Sequence, residues 1–265
     1  MTFVDCHCHL DDEKLKNDVE RVVAAFRAAG VGIVLNVGCD AQSSKTVASQ
    51  AEAIDGVYFA AGIHPSEVKD ADISDLDIIA ELAAREKCVA IGEIGLDYHW
   101  DKSYTDKQKD FFIRQIRLAD ELRLPLNVHV RDAMGDAVKI LKDNKDKLRY
   151  GGVMHCFSGS VETAKELMAL GFYISFGGTL TFPNSLKTCA VAATIPADRL
   201  LTETDSPYLA PVPKRGTVNS PVNIPLIVKK LAEVRGEDEL FIKRAVYENA
   251  KRLFYKIDGK TPVKD

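Results

Sequence analysis

The chain alternates eight times between a short apolar run and a longer amphipathic run, and this alternation limits the folds it can adopt. Each apolar run has the length of one buried strand, and the runs between them repeat apolar residues at helical spacing. The predicted strands are 3–10, 31–37, 57–63, 88–94, 126–130, 152–157, 172–176 and 200–204. Strands buried on both faces and joined by helices form parallel sheets. The sequence therefore predicts an α/β protein with a TIM (β/α)8 barrel.

An open, doubly wound sheet is the alternative architecture, but no GxGxxG motif follows the first strand. Two closing helices, at about 224–234 and 238–253, complete the predicted barrel. No linker divides the 265 residues. We therefore expect a single domain over residues 1–257, followed by a polar C-terminal tail at 258–265.

Charge and cysteine content restrict the functional classes. The net charge of −4 provides no general basic field, so any bound nucleic acid must be held by local cations or by metal ions. The six cysteines are scattered and form no CxxC pair, which is typical of reduced, buried thiols. We expect no leader, and no apolar stretch is long enough for a membrane span. We expect a cytoplasmic protein with no membrane association and no obligate protein partner.

The first predicted strand carries two histidines on one face. His7 and His9 are two residues apart, and alternate residues of a strand point to the same side. They are either a packed, hydrogen-bonded pair or two ligands of one divalent ion. The same alternation sends Cys6 and Cys8 to the opposite face, so we expect these two cysteines in the core.

Further histidines and two carboxylates follow other predicted strands. They are His64, Glu93, His129, His155 and Asp205. In a barrel the carboxyl ends of all strands meet at one mouth, where such enzymes keep their chemistry. Each residue alone has an ordinary interpretation, as a turn residue, a helix cap or a buried histidine whose ring nitrogens are hydrogen-bonded. Their joint placement predicts a site for one or two divalent ions, Mg, Mn or Zn.

Two ions about 3.5 to 4 Å apart require a shared anionic ligand, and Glu93 is the candidate because it is central among the strands. It would join two groups of ligands. One group consists of His7, His9 and Asp205, and the other of His129 and His155. Asp205 has a second possible role as the base that takes a proton from the attacking water. Glu93 and Asp205 are therefore the predicted catalytic residues.

Residues flanking these ligands have secondary predicted roles. Asp5 and Glu203 lie two residues from ligands on extended strands, and we expect them to fix imidazole tautomers. Cations that can hold flanking phosphates, if they are not simply solvated, are His64, Arg131, Lys214 and Arg215. Tyr98 and Tyr208 can stack on an unpaired base, the alternative being aromatic packing. His99, in a polar loop beside Trp100, falls outside the pattern and receives no role.

Six segments carry a resemblance to a known family, in its order and spacing, between residue 3 and about residue 255. They are FVDCHCHL at 3–10, GIHP at 62–65, GEIGLDY at 92–98, HVRD at 129–132, HCFSG at 155–159 and ETDSP at 203–207. Together these segments resemble the TatD family of metal-dependent deoxyribonucleases.

This resemblance implies a TIM-barrel hydrolase of the amidohydrolase superfamily that cleaves DNA phosphodiesters, often from the 3' end. His7, His9, Glu93, His129, His155 and Asp205 match the family's metal ligands, and His64 matches a histidine near the substrate phosphate. With an acidic chain, we expect single strands or frayed ends to be easier substrates than intact duplex.

Two other functions remain open from the sequence. The first is an ester or amide hydrolase on the same barrel, such as an aminoacyl-tRNA deacylase or a lactonase. Many such sites bridge their metals with a carboxylated lysine on strand four, where this chain has Glu93, and Lys87 lies at the other end of that strand. The second is a binding protein with a structural metal, which predicts a closed ligand shell. The bridging position favours the nuclease.

Overall fold

The structure, a computed structural model, describes residues 1–260. Eight parallel strands form one sheet in chain order. They are β1 (Phe3–Cys8), β2 (Val31–Val37), β3 (Val57–Ala61), β4 (Cys88–Asp97), β5 (Leu126–Arg131), β6 (Gly152–Met154), β7 (Phe172–Phe176) and β8 (Leu200–Thr202). A parallel bridge between Cys8 and Ser206 joins the first strand to the segment after the last one. The predicted single-domain TIM barrel is confirmed.

Helices follow every strand, and the bounds are close to those expected from apolar spacing. They are α1 (Val19–Ala28), α2 (Ala41–Ala53), α3 (Asp75–Ala83), α4 (Thr105–Leu122), α5 (Met134–Asp143), α6 (Val161–Ala169), α7 (Leu186–Thr194), α8 (Ile224–Arg235) and α9 (Glu239–Leu253). Helix α2 begins at Ala41 because Asp40 caps it, accepting the Ser43 amide at 2.6 Å.

The core lies between the helices and the outer face of the barrel. Helix α4 packs on β4 and places Phe111, Phe112 and Ile116 in full burial. Each such side chain contributes roughly 1.5 to 3 kcal/mol of transfer free energy. Cys6 and Cys8 are also buried there, as alternation predicted. This packing holds the strand ends in fixed positions.

Strand lengths differ from the prediction in ways that matter for the site. Strands β1, β3, β6 and β8 end earlier than predicted. His9, His64, His155 and Asp205 therefore lie in the segments just after these strands, and of the histidine pair only His7 is in β1. Strand β4 instead continues to Asp97, because its pairing with β5 resumes after a register shift between Ile91 and Ile94. Glu93 therefore lies at an irregularity inside a long strand, and not at the strand end that the sequence indicated.

No helix within residues 1–260 is both long enough and apolar enough to cross a membrane. The predicted tail at 258–265 is described only up to Lys260, and residues 261–265 lie outside the described residues.

Candidate metal centre

Glu93 lies at the mouth of the barrel, with imidazoles on both of its carboxylate oxygens. Its side chain is 5% exposed. The Oε1 atom lies 2.8 Å from His129 Nδ1, 3.1 Å from His155 Nε2 and 3.5 Å from His64 Nε2. This oxygen therefore faces three histidines that come from three different turns or strands.

The second oxygen of Glu93 faces His7, in β1, and His9, just after the end of β1. Its Oε2 atom lies 3.5 Å from His7 Nε2 and 3.6 Å from His9 Nε2. Asp205 closes this side, with Oδ1 at 3.8 Å from His7 Nε2 and 3.6 Å from His9 Nε2. Asp205 has a φ of 54°, and its backbone amide donates to the His7 carbonyl at 2.9 Å. The structure thus brings all six predicted ligand residues together, with Glu93 between the two groups.

The spacing of these donor atoms can be compared with a metal coordination sphere. Tetrahedral ligands at zinc–nitrogen distances would be separated by about 3.4 Å. The donors on the side of His7, His9 and Asp205 lie 3.1 to 3.8 Å apart. Sets of three donors within 4.8 Å of one another include His7 with Glu93 and His155, and His7 with His9 and Asp205. Nitrogen and carboxylate oxygen together suit Zn and Mn, so the residues fit such an ion.

Hydrogen bonds on the far side of His7 and His9 decide which ring nitrogen can bind a metal. His7 Nδ1 lies 3.0 Å from Asn127 Oδ1, whose amide nitrogen is turned to the Cys6 carbonyl. His9 Nδ1 lies 2.9 Å from the carbonyl of Val37. Both partners accept hydrogen bonds, so each ring carries its proton on Nδ1. The Nε2 lone pairs of both rings therefore point to Glu93 and Asp205.

His129 is oriented in the same way by a carboxylate. His129 Nε2 lies 3.2 Å from Asp97 Oδ2, which leaves Nδ1 to face Glu93. His155 Nδ1 lies 3.3 Å from Glu203 Oε1, within range of an ion pair but without a hydrogen bond. Glu203 therefore lies beside an imidazole, and its expected role in fixing a tautomer stays a prediction. Asp97 and Asn127 were missed, because neither is adjacent in sequence to the histidine that it orients.

His64 has the opposite tautomer. Its Nδ1 accepts a hydrogen bond from the Ser66 amide at 3.1 Å. Burial is the largest influence on its pKa and lowers it, so the ring is neutral. A neutral ring that accepts at Nδ1 carries its proton on Nε2, the atom that faces Glu93. His64 therefore presents a donor to the mouth, where His7 and His9 present Nε2 lone pairs.

The predicted role of Asp5 is wrong. Its Oδ1 accepts from the amides of Thr204, at 2.9 Å, and His7, at 3.3 Å, and its Oδ2 bonds the Thr204 hydroxyl at 2.6 Å. These contacts are to the backbone of His7 and not to its imidazole. Burial raises the pKa of Asp5 to about 8. Asp5 thus ties β1 to the segment after β8 and positions the ligand strand as a whole.

The two central carboxylates are ionised. Burial alone would raise the pKa of Glu93, but the imidazoles of His64, His7 and His155 outweigh burial and hold it well below its usual range. Burial acts on Asp205 in the same sense and is likewise outweighed by its histidine neighbours, so the pKa of Asp205 is lowered. Burial lowers the pKa of His155, but Glu203 and Glu93 outweigh it and raise that pKa well above its usual value. The mouth therefore combines fixed negative charge with imidazoles that can release protons.

Cys39 is a residue that sequence reasoning did not place at the site. Its Sγ lies 3.8 Å from both His9 Nδ1 and Glu93 Oε2. Burial raises the pKa of this thiol to about 11, and its Sγ forms, with His9 and Glu93, a further set of three donors within 4.8 Å of one another. Its position directly after β2 was the available signal, since β2 also ends at the mouth.

The residues expected to contact substrate are distributed unequally. Tyr98 is not brought to the histidines, because its hydroxyl donates to Asp136 of α5, which also pairs with Lys109 of α4. Arg131 is exposed at the end of β5. Arg215 lies in the exposed loop after β8, with its guanidinium carbon 3.8 Å from the Phe182 ring centroid.

Tyr208 does lie beside the cluster. Its ring centroid is 6.5 Å from that of His9, and its hydroxyl donates to Asp12 at 2.7 Å. The ring is about half exposed. Of the two tyrosines predicted to stack on a base, only Tyr208 is therefore positioned at the mouth.

A cavity of about 550 Å³ opens at the other end of the barrel, lined by Gly151, Gly171 and Arg199 among others. These residues immediately precede β6, β7 and β8. The cavity therefore lies at the amino ends of the strands. The candidate site is identified by the chemistry of its side chains and not by cavity size.

Comparison with known proteins identifies the family of this chain. A sequence profile of the TatD related DNase family matches residues 4–255. The uncharacterized metal-dependent hydrolase YabD from Bacillus subtilis is 45% identical over 250 residues, which cover 94% of this chain and 98% of YabD. The 3'-5' ssDNA/RNA exonuclease TatD from Cronobacter sakazakii is 36% identical over 258 residues, 95% of this chain and 97% of that protein.

A solved structure gives the same result. The crystal structure of YjjV, a TatD homologue from Escherichia coli, superposes with a TM-score of 0.91 at 32% sequence identity. The match covers 96% of this chain and 98% of YjjV. The resemblance inferred from the six segments is confirmed over nearly the whole barrel, and the chain belongs to the TatD related DNase family of metal-dependent hydrolases.

Proposed function

We propose that this chain is a metal-dependent deoxyribonuclease that hydrolyses phosphodiester bonds at the 3' ends of single-stranded or frayed DNA. The observation that carries the proposal is the set of four imidazole nitrogens that face Glu93 and Asp205. The printed name of the Cronobacter relative supports a single-stranded nucleic acid substrate.

The residues that would hold one or two divalent ions share a free lone pair or an ionised carboxylate at the mouth. They are His7, His9, Glu93, His129, His155 and Asp205. When bound, Mg, Mn or Zn would supply Lewis-acid activation of the phosphodiester and of the attacking water. Glu93 faces both groups of ligands, so its charge would be shared between the two positions.

Asp205 is the proposed general base. Its lowered pKa keeps it ionised at neutral pH, so it can accept a proton from the attacking water. Its side chain is 15% exposed, whereas Glu93 is 5% exposed, so water can approach Asp205 more readily. Asp205 is therefore the carboxylate that combines charge with access.

The substrate phosphates would be held by donors around this base. His64 directs its Nε2 proton into the mouth and would donate to a phosphate oxygen. Arg131 and Arg215 would bind flanking phosphates at different parts of the rim, since Arg131 is the last residue of β5 and Arg215 lies in the loop after β8. Tyr208 replaces Tyr98 in the proposed set, because the Tyr98 hydroxyl is engaged by Asp136.

The side chain of Lys87 supports a nuclease over a lactonase or an aminoacyl-tRNA deacylase. Lys87 donates from Nζ to the carbonyls of Ala51 and Ile54, at the end of α2. It precedes β4 and is turned away from the mouth. Glu93 would therefore be the ligand shared by two ions.

All six cysteines are free, which supports a reducing, cytoplasmic location.

A product assay would test the proposal. The protein would be loaded with Mg, Mn or Zn in turn and incubated with 5'-labelled single-stranded and double-stranded DNA, an aminoacyl-tRNA and a lactone. We expect stepwise shortening of the single strand from its 3' end, and much slower shortening of the blunt duplex. The Asp205→Asn variant is the matched control for a contaminating nuclease. Turnover of the lactone or the aminoacyl ester, with intact DNA, would contradict the proposal.

A further inference from the structure

We infer that Trp100 and Arg131 form a subsite that binds an unpaired nucleobase of the strand held at the metal centre. The inference rests on the proposed nuclease function and adds a residue to it. Trp100 is the single tryptophan of the chain and lies in the loop between β4 and α4. Its side chain is 73% exposed.

The indole of Trp100 is largely exposed to water. A tryptophan side chain normally buries more apolar surface than almost any other residue, so leaving it in water forgoes a large stabilisation. The Arg131 guanidinium carbon lies 5.3 Å from the centre of the Trp100 ring, within range of a cation–π contact. The arginine covers part of the ring and leaves most of the ring surface open to solvent.

Chain connectivity places this pair at the rim of the metal centre. Asp97 orients His129 and precedes Trp100 by three residues, so the two Cα atoms are at most about 11 Å apart. Arg131 follows His129 by two residues on β5. His99 and Asp132 are paired at 2.9 Å, Nδ1 to Oδ2, which ties the loop after β4 to the loop after β5.

The charge of Arg131 is available to a ligand. Within residues 1–260 no carboxylate lies within 4 Å of its guanidinium, although many other surface cations of the chain are paired. A free guanidinium stacked beside an open aromatic face is a platform that accepts a base on the ring and a phosphate on the cation. Every base has a π face, so we expect binding with little sequence preference and a requirement for unstacked bases.

Fluorescence gives a direct test, because Trp100 is the only source of tryptophan emission. The metal-loaded protein would be mixed rapidly with oligothymidylate, and emission would be followed before hydrolysis begins. We expect strong quenching by the oligonucleotide and none by an abasic oligonucleotide of the same length, with binding of both followed by anisotropy. Equal emission changes with the two ligands, or binding of oligothymidylate without quenching, would overturn the subsite.

Kinetics would separate this inference from the nuclease proposal. We expect Trp100→Ala to raise KM for oligothymidylate about tenfold, to leave the abasic substrate unaffected and to be rescued largely by Trp100→Phe. Phe241→Ala on α9, a half-exposed aromatic distant in the fold, is the matched control. If wild-type protein hydrolyses oligothymidylate and Trp100→Ala has the same KM, the subsite is overturned and the nuclease stands. If wild-type protein hydrolyses no oligonucleotide, both are overturned.

Discussion

The Asn127→Leu substitution would test whether hydrogen bonds behind the imidazoles prepare the site for metal. Asn127 is fully buried and accepts from His7 Nδ1 at 3.0 Å. Leucine has a similar volume but cannot accept this proton. His7 would then be free to adopt the other tautomer, with its proton on Nε2 and directed at Glu93. We expect the variant to bind metal more weakly, because that proton replaces the lone pair a metal requires.

The expected loss of stability follows from the buried groups that lose their hydrogen-bond partners. His7 Nδ1 and the Cys6 carbonyl, which accepts from Asn127 at 3.3 Å, would both be left unpaired. Each unsatisfied buried group costs roughly 1 to 3 kcal/mol of unfolding free energy. Loss of an outer-shell partner typically weakens metal affinity by about 10-fold to 100-fold. For a barrel of this size, each kcal/mol lowers the Tm by roughly 2 to 4 °C.

The assay would measure metal content by mass spectrometry after dialysis against buffered zinc or manganese, and the Tm in excess chelator. Asn249→Leu is the matched control, since Asn249 is equally buried and donates to the carbonyls of Ala197 and Leu200 at the other end of the barrel. We expect both variants to lose stability and only Asn127→Leu to lose metal affinity. Equal metal affinities in the two variants would refute the tautomer argument.

Three further predictions concern the ligands themselves. Asp205→Asn should lower kcat by at least about 100-fold with the circular dichroism spectrum unchanged, and a near-normal kcat would remove Asp205 as the base. Glu93→Ala should lower metal content after dialysis to less than half, and full occupancy would reject Glu93 as the shared ligand. Because the pKa of His155 is raised in the metal-free cluster, metal must displace a proton from it, so affinity should rise with pH. A chelator should therefore remove activity faster at about pH 6 than at about pH 8. Added Mg, Mn or Zn should restore the activity. Faster loss of activity at the higher pH would contradict the expected rise of metal affinity with pH.

The sequence by itself determined the barrel and which candidate ligands its strands carry to the mouth. Helical and strand periodicities are local properties, and eight alternations leave few ways to bury both faces of a parallel sheet. Once the strands are placed, topology brings their carboxyl ends to one mouth, so His7, Glu93 and Asp205 are predictable as neighbours. Cys6 and Cys8 were assigned to the core for the same reason, because side chains alternate along a strand.

Only the tertiary structure decided which ring nitrogens face the site and which side chains turn away from it. Asn127 is 120 residues from His7, and no local pattern connects them. The register shift in β4 places Glu93 inside the strand and brings Asp97 to His129, and it depends on pairing with β5. The Tyr98 hydroxyl is hydrogen-bonded to Asp136, and Trp100 is exposed beside Arg131. Both arrangements depend on contacts between separate loops and helices. Sequence periodicity fixes the position of a residue along a helix or strand. Its hydrogen-bond partners depend on packing between elements that are distant in sequence. Those partners determine the chemistry at the mouth of this barrel.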